Sequence, residues 1–91
     1  MSFRRAARVD DNQSEIVKAF RKLGWYVLIV SQLKNCCDII VSKNGRTIAI
    51  EIKDGRKLLS AQKLSVGEIE FKEKWQGEYM LVNSVDQVLN I

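Results

Sequence analysis

The sequence contains no histidine, although the chain has 91 residues. Histidine is the side chain that most often transfers protons near neutral pH, and it is the commonest protein ligand of metals. Its absence excludes Ser-His-Asp and Cys-His catalysis, zinc sites built on imidazole, and nucleases that use a histidine base. Acid–base chemistry must therefore come from carboxylates, lysine, tyrosine or metal-bound water.

Cysteine is scarce, and so are long apolar segments. The two cysteines, Cys36 and Cys37, are adjacent, which suits neither an ordinary disulfide nor a structural zinc site. We interpret them as small core or near-core thiols in a reducing compartment. No segment resembles a signal peptide, and no apolar run approaches the roughly 20 residues that a membrane span needs. We expect a small cytoplasmic protein, one domain over residues 1–91, with no membrane partner.

The net charge of +4 is unevenly distributed. Residues 1–35 carry seven Lys and Arg against three Asp and Glu, whereas residues 36–91 carry eight of each. A basic N-terminal third beside an acidic pair in the middle is compatible with nucleic-acid chemistry, because a polyanion and a cation can bind side by side. Charge alone does not separate this possibility from a basic protein without a specific partner.

The segment from Cys37 to Lys53 predicts a β-hairpin. Two apolar runs flank Asn44-Gly45, which is the strongest short-range signal for a two-residue hairpin turn. Counting outward from that turn gives the register. The predicted pairs are Lys43 with Arg46, Ser42 with Thr47, Val41 with Ile48, Ile40 with Ala49, Ile39 with Ile50, and Asp38 with Glu51.

Side chains alternate between the two faces of a strand, so the register also predicts what each face carries. The predicted core face holds Ile39, Val41, Ile48, Ile50 and Ile52. The other face holds Asp38, Glu51 and Lys53. Two opposed carboxylates repel each other by roughly 0.2–1 kcal/mol on an open surface. A divalent cation would convert that repulsion into ligation, whereas on a solvated face Lys53 would simply neutralise Glu51.

The remaining segments predict the order α-β-β-β-α-β-α. Asp10 or Asp11 can cap a first helix with an apolar stripe that ends at Leu23-Gly24. Residues 25–31 read as a strand that precedes the hairpin. The stripe of the first helix comprises Ile16, Val17, Phe20 and Leu23.

Two capping boxes mark the later helices. Ser65 and Glu68 predict a helix that runs to about Trp75 and buries Ile69, Trp75, and either Phe71 or the stem of Lys72. Residues 79–83 follow as a strand, and a capping box that begins at Ser84 starts the last helix. We therefore expect one α/β domain in which a mixed sheet is flanked by helices.

Two basic segments are candidates for phosphate contacts. Residues 1–9 are predicted to form a mobile arm with Arg4, Arg5 and Arg8. An arm that contacts phosphate and a frayed terminus are equal alternatives for this segment. Residues 54–63 are predicted to form a loop near the acidic end of the sheet. This loop could contact the substrate, and a surface connection without a binding role is an equal alternative. The cations of this loop are Arg56, Lys57 and Lys63.

The order and spacing of these motifs resemble the PD-(D/E)xK nuclease superfamily, and more closely the stand-alone proteins of the viral-type replication-repair nuclease (VRR-NUC) family. The resemblance covers roughly residues 8–91, which leaves only the first few residues of the chain outside it. The matching segments are the helix start with Asp10, Asn12, Gln13 and Glu15, the Asp38 and Glu51-x-Lys53 hairpin, the helix start from Leu64 to Glu68, and the segment from Ser84. Two positions depart from the pattern: Cys37 stands where the motif usually has Pro, and Glu68 stands where many relatives carry Gln.

The resemblance implies a restriction-endonuclease-like fold and a site for Mg²⁺ or Mn²⁺. In such a site Asp38, Glu51 and the backbone carbonyl of Ile52 would ligate the metal. Lys53 would orient or activate the attacking water, and Glu15 would border the site. Glu15 also has a simpler role, because a carboxylate in the first turn of a helix interacts favourably with the helix dipole.

Three functions remain open at this point. The first is a metal-dependent DNA endonuclease that cuts branched DNA, as a homodimer, in the manner of a Holliday-junction resolvase. The second is a non-catalytic nucleic-acid-binding module with a vestigial nuclease site. The third, a structural protein of an unrelated process, accounts least well for the charge distribution and the motifs.

Overall fold

The Asn44-Gly45 hairpin lies at the centre of a four-stranded sheet in the computed structural model, which describes residues 11–91. The strands are β1 (Tyr26–Ile29), β2 (Ile39–Lys43), β3 (Arg46–Ile52) and β4 (Glu78–Val82), and they neighbour one another in that order. The first three strands are antiparallel, and β4 is parallel to β3. The sheet is therefore mixed, as predicted.

The turn itself shows why the sequence forms a hairpin here. Asn44 and Gly45 both have positive φ, at 52° and 80°, which is the conformation that a two-residue turn with the twist of the strands requires. The pairs from Lys43–Arg46 to Ile39–Ile50 all have the predicted register. The sequence prediction of the hairpin is confirmed over these five pairs.

Within residues 11–91, three α-helices accompany the sheet. They are α1 (Gln13–Lys22), α2 (Val66–Lys74) and α3 (Val85–Leu89), so the predicted element order is confirmed. A short 3-10 helix at Leu59–Gln62 lies within the segment predicted as a loop. Among the helices of residues 11–91, none has the length and apolar character needed to cross a membrane.

One face of the sheet forms the hydrophobic core with α1 and α3. The five residues predicted for this face are all buried. They pack in one cluster with residues of the first and last helices, mainly Ile16, Val17, Phe20 and Val88. Leu23, predicted at the end of the α1 stripe, is instead 38% exposed, because it is the C-cap residue where the chain leaves the helix.

The helix α2 lies over the opposite face. Tyr79 of β4 pairs with Ala49, whose side chain points away from the core face, and the ring of Phe71 lies 6.5 Å from the ring of Tyr79. Trp75 stacks on Phe71 with ring centroids 5.4 Å apart. Phe71 and Trp75 are half-buried, but Ile69 is 42% exposed, so its predicted burial was wrong. The aromatic pair makes the contact with the sheet, and Ile69 lies outside it.

The helix ends show which local signals decide the boundaries. The Ser65–Glu68 capping box is complete, with both reciprocal hydrogen bonds present. Gly24 follows α1 with φ +94°, as expected for a residue after a helix C-terminus. The N-cap of α1 is Asn12, so Asp11 does not cap this helix, and Asp10 lies outside the described residues.

Two side chains near the helix starts are used for tertiary contacts. The amide of Asn12 donates to the carbonyl of Lys53 at 3.1 Å instead of capping its own helix, and so joins α1 to the end of β3. At α3, the Ser84 hydroxyl accepts from the Gln87 N–H, whereas the Gln87 side chain accepts from the N–H of Asn83. The second predicted capping box is thus only half formed.

Candidate active site

Asp38 is fixed at the start of β2 by both neighbouring strands. Its backbone N–H donates to the Ile50 carbonyl at 3.1 Å, and its carbonyl accepts from the Val30 N–H at 2.9 Å. Its carboxylate Oδ2 accepts from the backbone N–H of Ile52 at 2.7 Å. The carboxylate is therefore held against the last residue of β3 by a charge-assisted hydrogen bond.

Glu51 brings a second carboxyl group to the same place. The residue is only 3% exposed, it borders the same cleft as Asp38, and the two carboxyl groups are close enough to interact. Burial, reinforced by Asp38 and Glu68, raises the pKa of Glu51 to about 10. The predicted meeting of the two acids is present, and it is unfavourable for an ionised Glu51 unless a cation compensates it.

A third acid, Glu68 of α2, completes the cluster. One of its oxygens, Oε1, accepts from the ammonium of Lys53 at 2.9 Å and from the backbone N–H of Ser65 at 2.7 Å. Burial opposes ionisation of Glu68, but the hydrogen bonds from Ser65 and Lys53 outweigh it and lower its pKa. Sequence reasoning left the role of Glu68 open, and only its departure from the family pattern pointed to it.

Lys53 continues directly from β3 and is well enclosed. Its side chain is 11% exposed, and its ammonium lies on Glu68. Its backbone N–H donates to the Val82 carbonyl at 3.1 Å, so the backbone at this position follows β4. The predicted triad of Asp38, Glu51 and Lys53 therefore gathers at one end of the β2–β3 pair.

Asp38, Glu51 and Glu68 border a cleft of about 230 Å³. Its walls come from the start of β2, the end of β3, the first turn of α2 and the loop before β2. At the α2 wall, a Cβ on Gly67 would lie 2.5 Å from the Asn35 side-chain oxygen, so glycine lets the loop and the helix approach closely. The acidic part of the lining consists of Asp38, Glu51 and Glu68.

Tyr79 lies close to the same acidic cluster. Its hydroxyl oxygen is buried and has no hydrogen-bond partner among residues 11–91. Burial and the nearby carboxylates of Glu51 and Glu68 raise the pKa of Tyr79 to about 12. The phenol is therefore neutral at physiological pH and is not a base for the site.

The donor atoms fit a hard divalent cation, although they do not form a complete side-chain cage. Within residues 11–91, no three or more His, Cys, Asp or Glu side chains are arranged to hold a metal ion. Two carboxyl groups, from Asp38 and Glu51, do meet. Ile52 is the last residue of β3, and its N–H donates to Asp38. In a strand the C=O of a residue is on the same side as its N–H, which makes the Ile52 carbonyl a candidate third ligand. Two carboxylates and one carbonyl are oxygen ligands of the type that Mg²⁺ and Mn²⁺ prefer, with water completing the shell.

Comparison of the chain with protein-family models, with curated proteins and with solved structures gives no match. The functional interpretation therefore depends on the residues of the cleft and on their geometry. Among the residues singled out from the sequence, Asp38, Glu51, Ile52, Lys53 and Glu68 come together, whereas Glu15 and Arg56 lie in another cleft.

Glu15 lies in a different cleft, of about 290 Å³, together with Arg56. The carboxylate of Glu15 is 3.7 Å from the Arg56 guanidinium. Arg56 also makes two hydrogen bonds of 2.9 Å to Asp54, whose side chain is only 4% exposed. These bonds lower the pKa of Asp54 to about 2. The structure thus places Glu15 and Arg56 in a shared ion-pair group outside the acidic cleft.

The other predicted phosphate contacts are dispersed. Lys57 is 3.6 Å from the carboxylate of Asp11, and Lys63 is exposed on the segment before α2. Arg4, Arg5 and Arg8 lie outside the described residues. The basic residues of 11–91 that were singled out do not form one cluster around the acidic cleft.

Proposed function

We propose that this chain is a metal-dependent DNA endonuclease of the PD-(D/E)xK type with a restriction-endonuclease-like fold, similar to stand-alone VRR-NUC proteins. The observation that carries the proposal is the contact between Asp38 and the buried Glu51, two residues before Lys53. A site that served stability alone would not bury a carboxyl group against a second one. Nucleases of this type need these groups in this order.

In the proposed site, Asp38, Glu51 and the Ile52 carbonyl would hold Mg²⁺ or Mn²⁺. When bound, the cation supplies Lewis acidity toward a phosphate oxygen and lowers the pKa of a water molecule. The protein contributes rigidity, because the Ile52 N–H fixes Asp38 and the strand fixes Glu51. Positioned charge of this kind favours the transition state of phosphodiester hydrolysis, in which negative charge accumulates.

Lys53 supplies the positive charge of the site. Its ammonium is a compact point charge with three N–H donors, and one of them is directed at Glu68. Lys53 would stabilise the oxygens of the scissile phosphate and orient the attacking water.

For the substrate, we propose branched DNA, cut by a homodimer. A four-way junction presents paired scissile phosphates, and one chain of this size supplies one acidic cleft, so two copies are needed for paired cuts. The proposed phosphate contacts are Arg4, Arg5, Arg8, Arg56, Lys57 and Lys63. For Arg56, binding to phosphate would require exchange of its hydrogen bonds with Asp54.

The direct test is cleavage of labelled four-way junction, flap and duplex DNA by purified protein with Mg²⁺ or Mn²⁺. The wild type should cut at least one substrate, and Asp38→Asn should reduce the rate by about 100-fold or more. The matched control is Glu70→Gln, which also removes one carboxylate but lies on the exposed side of α2, paired with Lys74. Intact DNA with the wild type, beside an active control nuclease, would refute the proposal. Metal-independent DNA binding without cleavage would instead support the non-catalytic module.

A further inference from the structure

Glu68 is held between the lysine of the proposed site and the start of α2. Its Oε1 accepts from Lys53 at 2.9 Å and from the Ser65 backbone N–H at 2.7 Å. Its own backbone N–H donates to the Ser65 hydroxyl at 3.2 Å. The capping box thus fixes both the backbone and the carboxylate of Glu68. Because this carboxylate is fixed, the ion pair restricts the position of the Lys53 ammonium.

Lysine needs such a fixed partner more than the other groups of the site do. Its ammonium is carried on a flexible four-carbon stem, and ordering that stem has a large entropic cost. Asp38 is fixed by backbone hydrogen bonds, and Glu51 is fixed by burial in β3. The ion pair is also partly enclosed, with side-chain exposures of 11% for Lys53 and 25% for Glu68, so solvent competes with it less than at an open surface.

We propose that Glu68 is a positioning residue that holds the Lys53 ammonium beside the Asp38–Glu51 pair, ready for the scissile phosphate. The inference rests on the proposed nuclease function. It assigns a role to a residue on α2 that lies 15 positions from Lys53 along the chain. It also makes the first turn of α2 part of the reaction geometry, since a shift of this turn would move the lysine.

A purely structural role for Glu68 makes a different prediction. Capping needs only a side-chain acceptor at this position, and glutamine supplies one as well as glutamate does. Pairing with the Lys53 ammonium benefits from a full negative charge, which glutamine lacks. Glu68→Gln therefore separates the two roles. Ser65→Ala, which removes the hydroxyl of the capping box, calibrates how much the cap contributes to the melting temperature.

The experiment measures kcat and KM for the DNA that the wild type cuts best. Glu68→Gln should lower kcat about 10- to 100-fold with little change in KM, because a misplaced group slows the chemical step more than it weakens binding. Its melting temperature should fall less than that of Ser65→Ala. Glu70→Gln, also a Glu-to-Gln change on α2, should keep the wild-type kcat.

A double variant tests whether Glu68 acts through Lys53. In a Lys53→Met background, which keeps an unbranched side chain but removes the ammonium, Glu68→Gln should lower kcat no further. A readout without DNA is the NMR signal of the Lys53 ammonium protons, which an enclosed ion pair slows in exchange with water. We expect this signal in the wild type and its loss in Glu68→Gln.

The outcomes separate this inference from the nuclease proposal. If the wild type cuts DNA but Glu68→Gln cuts equally fast, or if its effect persists in full without the Lys53 ammonium, the positioning role is wrong and the nuclease proposal stands. If the wild type cuts no DNA while the control nuclease does, both are overturned. If Glu68→Gln lowers kcat in the wild-type background but not in the Lys53→Met background, both proposals are supported.

Discussion

The two faces of the central sheet are built on opposite principles. On the α1 and α3 face, Ile39, Val41, Ile48 and Ile50 are completely buried in one apolar cluster. On the α2 face, at the end of the same strands, a buried glutamate contacts one acid and lies close to another. The first arrangement stabilises the fold through burial of apolar surface, whereas the second opposes folding unless a ligand compensates it.

The contrast shows how one hairpin contributes both to the apolar core and to the proposed site. Residues from one hairpin serve both faces, because alternate side chains of β3 point to opposite sides. Ile50 and Ile52 contribute to the core, and Glu51 between them points into the acidic cleft. A rigid strand with a well-packed face can thus hold a repulsive group on its other face in a fixed position.

The largest effect on stability is expected from a substitution on the core face. Ile50→Ala should lower the free energy of unfolding by about 2–5 kcal/mol, because it leaves a cavity in a fully buried cluster. The matched variant Leu28→Ala, at a 46% exposed position of β1 on the other face, should change it by about 1 kcal/mol or less. Urea unfolding of both variants measures the difference. Equal losses would contradict the assignment of the core to one face.

A second prediction concerns the backbone contact that closes the end of the sheet. A Cβ on Gly55 would lie 2.9 Å from the backbone oxygen of Asn83, and this oxygen already accepts from the Gly55 N–H at 3.0 Å. Gly55→Ala should therefore destabilise the fold by about 1–3 kcal/mol. Thermal unfolding tests this, with Gly45→Ser as a turn variant for comparison. An unchanged melting temperature would show that the loop does not approach β4 closely.

The acidic face should respond in the opposite direction to the core face. Glu51→Gln removes a carboxyl group whose ionisation is opposed by burial and by the neighbouring Asp38 and Glu68. Because the folded state no longer has to take up a proton at this group, the variant should be more stable in EDTA by about 1–2 kcal/mol. In excess Mg²⁺ the wild type should gain stability by ligand binding, and Glu51→Gln should not. A destabilised Glu51→Gln in EDTA would mean that the cluster contributes to folding and is not strained.

The smallest effect is expected at low pH, in the ion pair beside the second cleft. The folded-state pKa of Asp54 is about 2, below its ordinary value of 3.8, chiefly because of the hydrogen bond from the Arg56 side chain. A lowered carboxyl pKa stabilises the folded state above pH 4, and this contribution is lost as the pH falls toward 2. Asp54→Asn should therefore flatten the stability curve between pH 4 and pH 2, whereas the exposed Asp86→Asn should not. Parallel curves for wild type and Asp54→Asn would contradict the ion pair.

The hairpin could be predicted from sequence because its determinants are local. Asn44-Gly45 fixes the turn, and strict alternation fixes which residues share a face, so the register from Lys43–Arg46 to Ile39–Ile50 is as predicted. The same is true of the Ser65–Glu68 capping box, whose two partners are three residues apart. In both cases a single arrangement satisfies the local backbone.

Most of the features that could not be predicted depend on residues far apart in the chain. Glu68 reaches Lys53 only because α2 packs across the sheet through Phe71 and Tyr79. Asn12 gave no sequence signal for its bond to Lys53, 41 positions away. Arg56 was expected near the acids, but the buried Asp54, two residues earlier, binds its guanidinium. No periodicity or local motif reports such contacts.

The central claim is that Asp38 and Glu51 form a cation site, and the most direct measurement is a Mn²⁺ titration followed by electron paramagnetic resonance, which reports the free aqueous ion. The wild type should bind one Mn²⁺ per chain, Mg²⁺ should displace it, and Glu51→Gln and Asp38→Asn should each weaken binding by at least about tenfold. Glu70→Gln should bind as the wild type does. Absence of binding to the wild type, or equal binding by Glu51→Gln, would contradict the account.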